Sequence, residues 1–148
     1  MPQSLAQIYL HLIWSTKQRA AFLRDRTLRE DLYVYMQGIC ANQGCPSLQI
    51  GGVEDHVHVL CRFGRGISVS DLLRELKRDS SKWVKDRAPG ISEFQWQNGY
   101  GAFSISATHV DALKHYIATQ EEHHRRKESF QDEFRRICGI NGIEVDER

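Results

Sequence analysis

The sequence is short of most of the usual signposts. It holds three prolines in 148 residues, four cysteines with no C-x-x-C spacing, and no apolar run long enough to cross a membrane. It also lacks an excess of either charge: 20 Lys and Arg stand against 19 Asp and Glu, a net of +1. Each absence narrows the field. Balanced charge speaks neither for nor against nucleic acid, so any basic surface has to come from local clustering. The spacing of Cys40, Cys45, Cys61 and Cys138 reads as reduced thiols of an intracellular protein. The missing apolar span argues against a membrane protein. Met1-Pro2-Gln3-Ser4 lacks the basic-then-apolar layout of a signal peptide, so a cytoplasmic location is expected. No internal repeat or Pro/Gly-rich linker divides the chain. With 41% hydrophobic residues it reads as one domain over 1–148, ending in a polar tail from about residue 139.

What is present is hydrophobic periodicity. Ala6 to Trp14 alternates as a strand, with Ile8, Leu10, Leu12 and Trp14 on one face and Gln7, Tyr9, His11 and Ile13 on the other. Thr27 to Asn42 repeats Leu28, Leu32, Tyr35, Met36 and Ile39 at helical spacing. Leu48 to Glu54 is a second strand, interrupted by Gly51-Gly52, and His56 to Phe63 follows closely enough to make a hairpin with it. Ser68 to Arg87 is a second helix, capped by Ser68 or Ser70, with Val69, Leu72, Leu73, Leu76 and Trp83 as its buried stripe. Tyr100 to Ser106 alternates weakly as a fourth strand. A third helix runs from Thr108 to about Arg126, with a further stretch after a bend over Phe130 to Ile137. This order predicts an α+β, ferredoxin-like (RRM-like) fold: a four-stranded antiparallel sheet, both long helices on one face, the other face open, and a C-terminal helix. The first and third strands are then central neighbours, which sets Tyr9 and His11 near whatever the third strand carries on the open face.

The third strand carries Asp55-His56-Val57-His58-Val59-Leu60. Strand side chains alternate, so His56 and His58 share a face while Val57 and Val59 turn to the core. Two imidazoles side by side are a ready pair of metal ligands, although two polar residues on a solvated face account for them equally well. Some sixty residues later, Tyr116 and Gln120 lie four apart on one helix face. A tyrosine oxygen can attack phosphorus, and an amide oxygen can complete a metal site. The plainer alternatives are an aromatic packed on the sheet and a solvent-facing helix former.

Several stretches together carry a resemblance. They are His11-Leu12-Ile13-Trp14-Ser15-Thr16-Lys17, Asp55 to Leu60, Leu76-Lys77-Arg78-Asp79-Ser80-Ser81-Lys82, Trp96-Gln97-Asn98-Gly99-Tyr100-Gly101-Ala102, and Tyr116 through His124. In this order they resemble the HUH-motif single-tyrosine transposases of bacterial insertion sequences, including the REP-associated tyrosine transposases, with His56 and His58 as the HUH pair. The resemblance implies that His56, His58 and Gln120 bind a divalent metal and that Tyr116 is the nucleophile. It implies cleavage and rejoining of single-stranded DNA, often hairpin-forming, through a 5′-phosphotyrosine link that leaves a 3′-hydroxyl. It also implies a homodimer, in which Tyr116 serves its own or its partner's histidines. Nitrogen and oxygen ligands without thiolate suit Mg²⁺ or Mn²⁺.

Around this set, Asp55 can orient a ring or cap the turn, His11 can support the histidines from the neighbouring strand, and His124, one turn past Gln120, is a candidate for a further metal or phosphate contact, with a solvated surface role the simpler reading. DNA contact needs cations: Lys17 and Arg19 follow the first strand, and Arg74, Lys77, Arg78 and Lys82 decorate the second helix. Trp96 and Tyr100 can stack on bases, or, for Trp96, fill the core. A non-catalytic single-stranded nucleic-acid-binding module of the same fold is the main alternative. A metallohydrolase using bound water is a second, and a structural protein with an incidental histidine pair comes last.

Overall fold

The computed structural model describes residues 3–125 and 128–145. The chain folds as β1 (Tyr9–Ser15), α1 (Arg26–Asn42), β2 (Ser47–Gly52), β3 (His56–Arg62), α2 (Val69–Arg87), β4 (Gly101–Ile105), α3 (Val110–Ala118), α4 (Gln120–Arg125) and α5 (Phe130–Ile140), with short 3-10 turns between some of them. The four strands form one antiparallel sheet in the order β2-β3-β1-β4. This is the α+β ferredoxin-like arrangement that the periodicity predicts, with β1 and β3 central.

Strand parity sorts the side chains as the alternation requires. Leu10, Leu12 and Trp14 of β1 and Val57, Val59 and Cys61 of β3 face α1 and α2, where Leu32, Met36, Leu72 and Leu76 close over them in the main core. Each long helix starts at a side-chain cap. Asp25 accepts from the Thr27 and Leu28 amides, and Ser68 accepts from the Asp71 amide, satisfying donors that the first turn leaves unpaired. Tyr35, expected in the α1 stripe, is 39% exposed and stacks on Trp83 instead. The four cysteines are free and buried. Among the described residues no helix is long and apolar enough to cross a membrane.

The other face differs from expectation. It is covered rather than open: α3 packs on Leu60 through Val110 and Ile117, and α5 packs on Ile13 and Phe103 through Ile137 and Cys138. The third helix breaks at Thr119 into α3 and α4, and α5 is a separate helix capped by Ser129. Gly139 and Ile140, expected in the polar tail, belong to α5, while residues 146–148 of that tail and Arg126 lie outside the described residues. β1 begins at Tyr9, not Ala6.

Gly51 and Gly52 do not interrupt β2, which runs through both. Their role is clearance. A Cβ on Gly51 would stand 2.5 Å from the Ile117 carbonyl oxygen, so the missing side chain is what lets α3 lie directly on the sheet.

Candidate metal centre

β1 and β3 register so that Ile13 opposes His58 and Ser15 opposes His56. Both histidines face α3, α4 and α5 and have no solvent exposure. Buried imidazoles demand partners, and each finds one on either ring nitrogen. His56 Nδ1 lies 2.7 Å from Asp55 Oδ1, and His58 Nδ1 lies 2.8 Å from His11 Nε2. Asp55 and His11 are therefore the groups that orient the two rings, as the sequence suggests for both. Tyr9, expected close by, sits further along β1 and packs against the Leu60, Val110 and Ile117 cluster.

The two free Nε2 atoms converge on a carboxylate that sequence reasoning does not identify. Glu133 of α5 is fully buried, and its Oε1 lies 3.0 Å from His56 Nε2 and 3.1 Å from His58 Nε2. Gln120 Oε1 is 3.2 Å from His56 Nε2, and Gln120 Nε2 donates to Glu133 Oε2 at 3.1 Å. The Tyr116 hydroxyl donates to that same Oε2. His124 joins as well, with its Nε2 3.1 Å from Gln120 Oε1 and 3.4 Å from Glu133 Oε1. The structure thus gathers His56, His58, Tyr116, Gln120, His124, Asp55 and His11 into one cluster with Glu133 at its centre. The signal for Glu133 was available. It lies three residues after Phe130 and four before Ile137, so a carboxylate interrupts the apolar stripe of an amphipathic helix.

The electrostatics follow from this packing. Burial works against charge on His56, but the Asp55 and Glu133 carboxylates outweigh it and raise its pKa to about 9. Burial dominates at His58 and His11, lowering them to about 4 and about 3. Glu133 falls well below the usual carboxylate range, because the hydrogen bonds of His124, His56 and His58 outweigh its burial. Tyr116 is raised above the ordinary phenol value by burial and by the neighbouring Glu133 carboxylate. Without a metal, the cluster holds a protonated His56 against Glu133, with His11 and His58 neutral.

The donor set also fits a cation. Ligand atoms of His56, His58 and Glu133 lie within 4.8 Å of one another. Two imidazole nitrogens, a carboxylate and the Gln120 amide oxygen make a nitrogen and oxygen donor set without thiolate. The Asp55–His56 pair is the carboxylate–imidazole arrangement that fixes a ligating ring.

The expected DNA cations divide. Arg19 lines a cleft with Asp55, His124 and Phe130 beside the cluster, and Lys17 begins the same loop. Arg74, Lys77, Arg78 and Lys82 lie on α2, which covers the opposite face of the sheet. Lys77 donates to the Gln97 and Gly99 carbonyls, Arg78 pairs with Glu75 and Asp79, and Arg74 pairs with Asp71. Trp96 is buried, its Nε1 donating to Ser80 Oγ, so it is a core residue, whereas Tyr100 is 42% exposed.

Comparisons with known proteins agree with this architecture. A solved structure of a candidate transposase from Deinococcus radiodurans R1 superposes with a TM-score of 0.66 at 22% identity, over 81% of this chain and 95% of that one. A REP-associated tyrosine transposase, solved bound to a REP hairpin, superposes with a TM-score of 0.60 at 15% identity, over 84% of this chain and 73% of that one. At these identities the likeness is one of fold. Among curated proteins no relative matches the chain. The family described as "Transposase IS200 like" matches residues 4–120, from the segment before β1 through Tyr116 and Gln120, and stops short of α5 and Glu133. On that match, the chain belongs to the IS200-like transposase family.

Proposed function

We propose that this transposase cuts and rejoins single-stranded DNA through a covalent 5′-phosphotyrosine at Tyr116, with a divalent cation, Mg²⁺ or Mn²⁺, held by His56, His58 and Gln120. The observation that carries the reading is the meeting of a tyrosine hydroxyl with two imidazoles, an amide oxygen and a carboxylate in one cluster. The cation would polarise the scissile phosphate as charge builds on its oxygens.

The chain's own groups do the rest. Asp55 and His11 hold the two rings in place, and Glu133 would be a further donor to the cation. His56 and His58 are wholly buried, so the partly exposed rim at Tyr116 and Arg136 is the side from which a phosphate arrives. Glu133 Oε2, which accepts the Tyr116 hydroxyl, orients the phenol, and the Tyr116 proton passes to water as its oxygen attacks. The Tyr116 oxygen bonds to phosphorus as the bond to the 3′ oxygen breaks, and that oxygen takes a proton from water. The linkage conserves the energy of the broken diester, so rejoining needs no nucleotide cofactor.

Lys17 and Arg19 sit where a strand leading to the cluster would pass; of the α2 cations, Arg74 and Arg78 are tied to their own helix and Lys77 to the loop before β4, and these contribute less. The substrate we favour is a hairpin-bearing single strand, like the REP hairpin bound by the structural neighbour. Because one chain brings Tyr116 to its own histidines, a homodimer in this reading pairs two complete sites. A cytoplasmic location accords with DNA as substrate.

Incubation with hairpin-bearing single-stranded DNA and Mn²⁺ tests the proposal. A covalent protein–DNA species that vanishes with Tyr116→Phe and with chelator is expected. Tight binding without any adduct supports the binding-module alternative, and turnover without an adduct supports water as the nucleophile.

A further inference from the structure

Tyr116 carries a cation of its own that the metal reading does not require. Its hydroxyl oxygen accepts a hydrogen bond from the Arg136 guanidinium at 2.8 Å, and the guanidinium carbon stands 5.7 Å from the Tyr116 ring centroid. The arginine is held for this position. Glu128 takes its Nε at 3.2 and 3.3 Å and a terminal nitrogen at 2.9 Å, a two-point grip that fixes the plane of the fork. His123 steadies Glu128 in turn at 3.2 Å. On its other side the same hydroxyl donates to Glu133, one helical turn before Arg136. One turn of α5 therefore offers the phenol both a hydrogen-bond acceptor and a fixed positive charge for its oxygen. All of these α5 groups lie past residue 120, where the family match ends.

We propose that Arg136 is a catalytic residue of this transposase, stabilising the negative charge on the Tyr116 oxygen as its proton leaves and, as the new bond forms, the charge on the incoming phosphate. The inference rests on the Tyr116 reading above. In the step it serves, the O–H bond of Tyr116 breaks and its proton passes to water, the Tyr116 O–P bond forms, and the P–O3′ bond breaks with the 3′ oxygen taking a proton from water. Arg136 keeps all its protons throughout. Guanidinium suits the task better than ammonium, because its planar fork keeps two donors on Glu128 while turning another to the phenol.

Arg136→Ala should slow adduct formation on hairpin-bearing DNA by about 100-fold at saturating Mn²⁺, the size of effect of one lost oxyanion donor. Added guanidinium chloride should restore part of the rate, while sodium chloride at equal ionic strength should not. Arg136→Lys should fall between Arg136→Ala and the parent. A parental rate in Arg136→Ala, or a loss that guanidinium leaves unchanged, overturns the assignment. A second readout needs no activity. In 3-fluorotyrosine-labelled protein, the Tyr116 ¹⁹F resonance, assigned with Tyr116→Phe, should move in Arg136→Lys while the other tyrosine resonances stay. An unmoved Tyr116 resonance also overturns it. If the parent forms no adduct but this resonance moves, the strand-transfer reading fails while the contact stands.

Discussion

Under α1 and α2 the sheet presents Leu10, Leu12, Trp14, Val57, Val59 and Cys61, which pack with Leu32, Met36, Leu72 and Leu76 in the main core. Under α3, α4 and α5 the alternate residues of the same central strands include His11, His56 and His58, and the helices answer with Gln120 and Glu133. Two small apolar clusters, around Ile13 and Phe103 on one side and Leu60 and Ile117 on the other, flank this polar patch. One face holds the fold through burial, where each side chain contributes nearly independently. The other holds a hydrogen-bonded network whose members are costly to bury unless all their partners are present. A strand with period two can serve both ends at once, and β3 does so in seven residues.

The contrast can be broken from either side. Leu12→Ala, at a fully buried position on the apolar face, should cost about 3 kcal/mol of unfolding free energy in urea titrations. Mn²⁺ affinity of the folded fraction should stay the same. Gly51→Ala pushes a methyl into the Ile117 carbonyl, and should cost about 2 kcal/mol and lift α3. Because α3 carries Tyr116, adduct yield in this variant should fall by more than the unfolded fraction explains. Asp55→Asn removes the charged partner of His56 and should weaken Mn²⁺ binding about tenfold by calorimetry, with little change in unfolding.

The pH profile of the metal-free protein tests the polar face without any substitution. His56, at about 9 against an ordinary 6.5, stabilises fully below pH 6.5, and that contribution drains as pH rises through 9. His58 and His11, at about 4 and about 3, stabilise fully above pH 6.5 and lose that contribution as pH falls through those values. Stability should therefore peak near pH 6.5 and decline on both sides. Leu12→Ala should lower this curve without changing its shape between pH 3 and pH 9, since none of the three histidines lies on that face. A flat profile would mean that the histidines are not held as described.

Much of this was legible in the residues. Period two in Ala6 to Trp14 and in His56 to Phe63 places the two central strands, three residues early at the start of the first, and sets the parity that makes His56 and His58 neighbours. The i, i+4 spacing of Tyr116 and Gln120 puts phenol and amide together, although the backbone breaks between them at Thr119. Glu133 leaves one local sign, a carboxylate within the apolar stripe of α5, but neither it nor Arg136 points to the site from the sequence alone. Their meaning depends on where α5 docks, and that is decided by Ile137, Cys138 and Phe134 finding Ile13 and Phe103 across the sheet. A contact of that sequence separation leaves no local pattern. The covered face was missed for the same reason. The two glycines of β2 were read as an interruption when they are a clearance, which only the position of Ile117 reveals.

The central claim is that the polar face is built to bind one divalent cation. Mn²⁺ titration followed by electron paramagnetic resonance, on the parent protein and on His58→Ala, tests it most directly. The account predicts one bound Mn²⁺ per chain in the parent and an affinity lower by more than about 100-fold in His58→Ala, beyond the loss from disturbing an outer partner. Equal binding by the two proteins would contradict it.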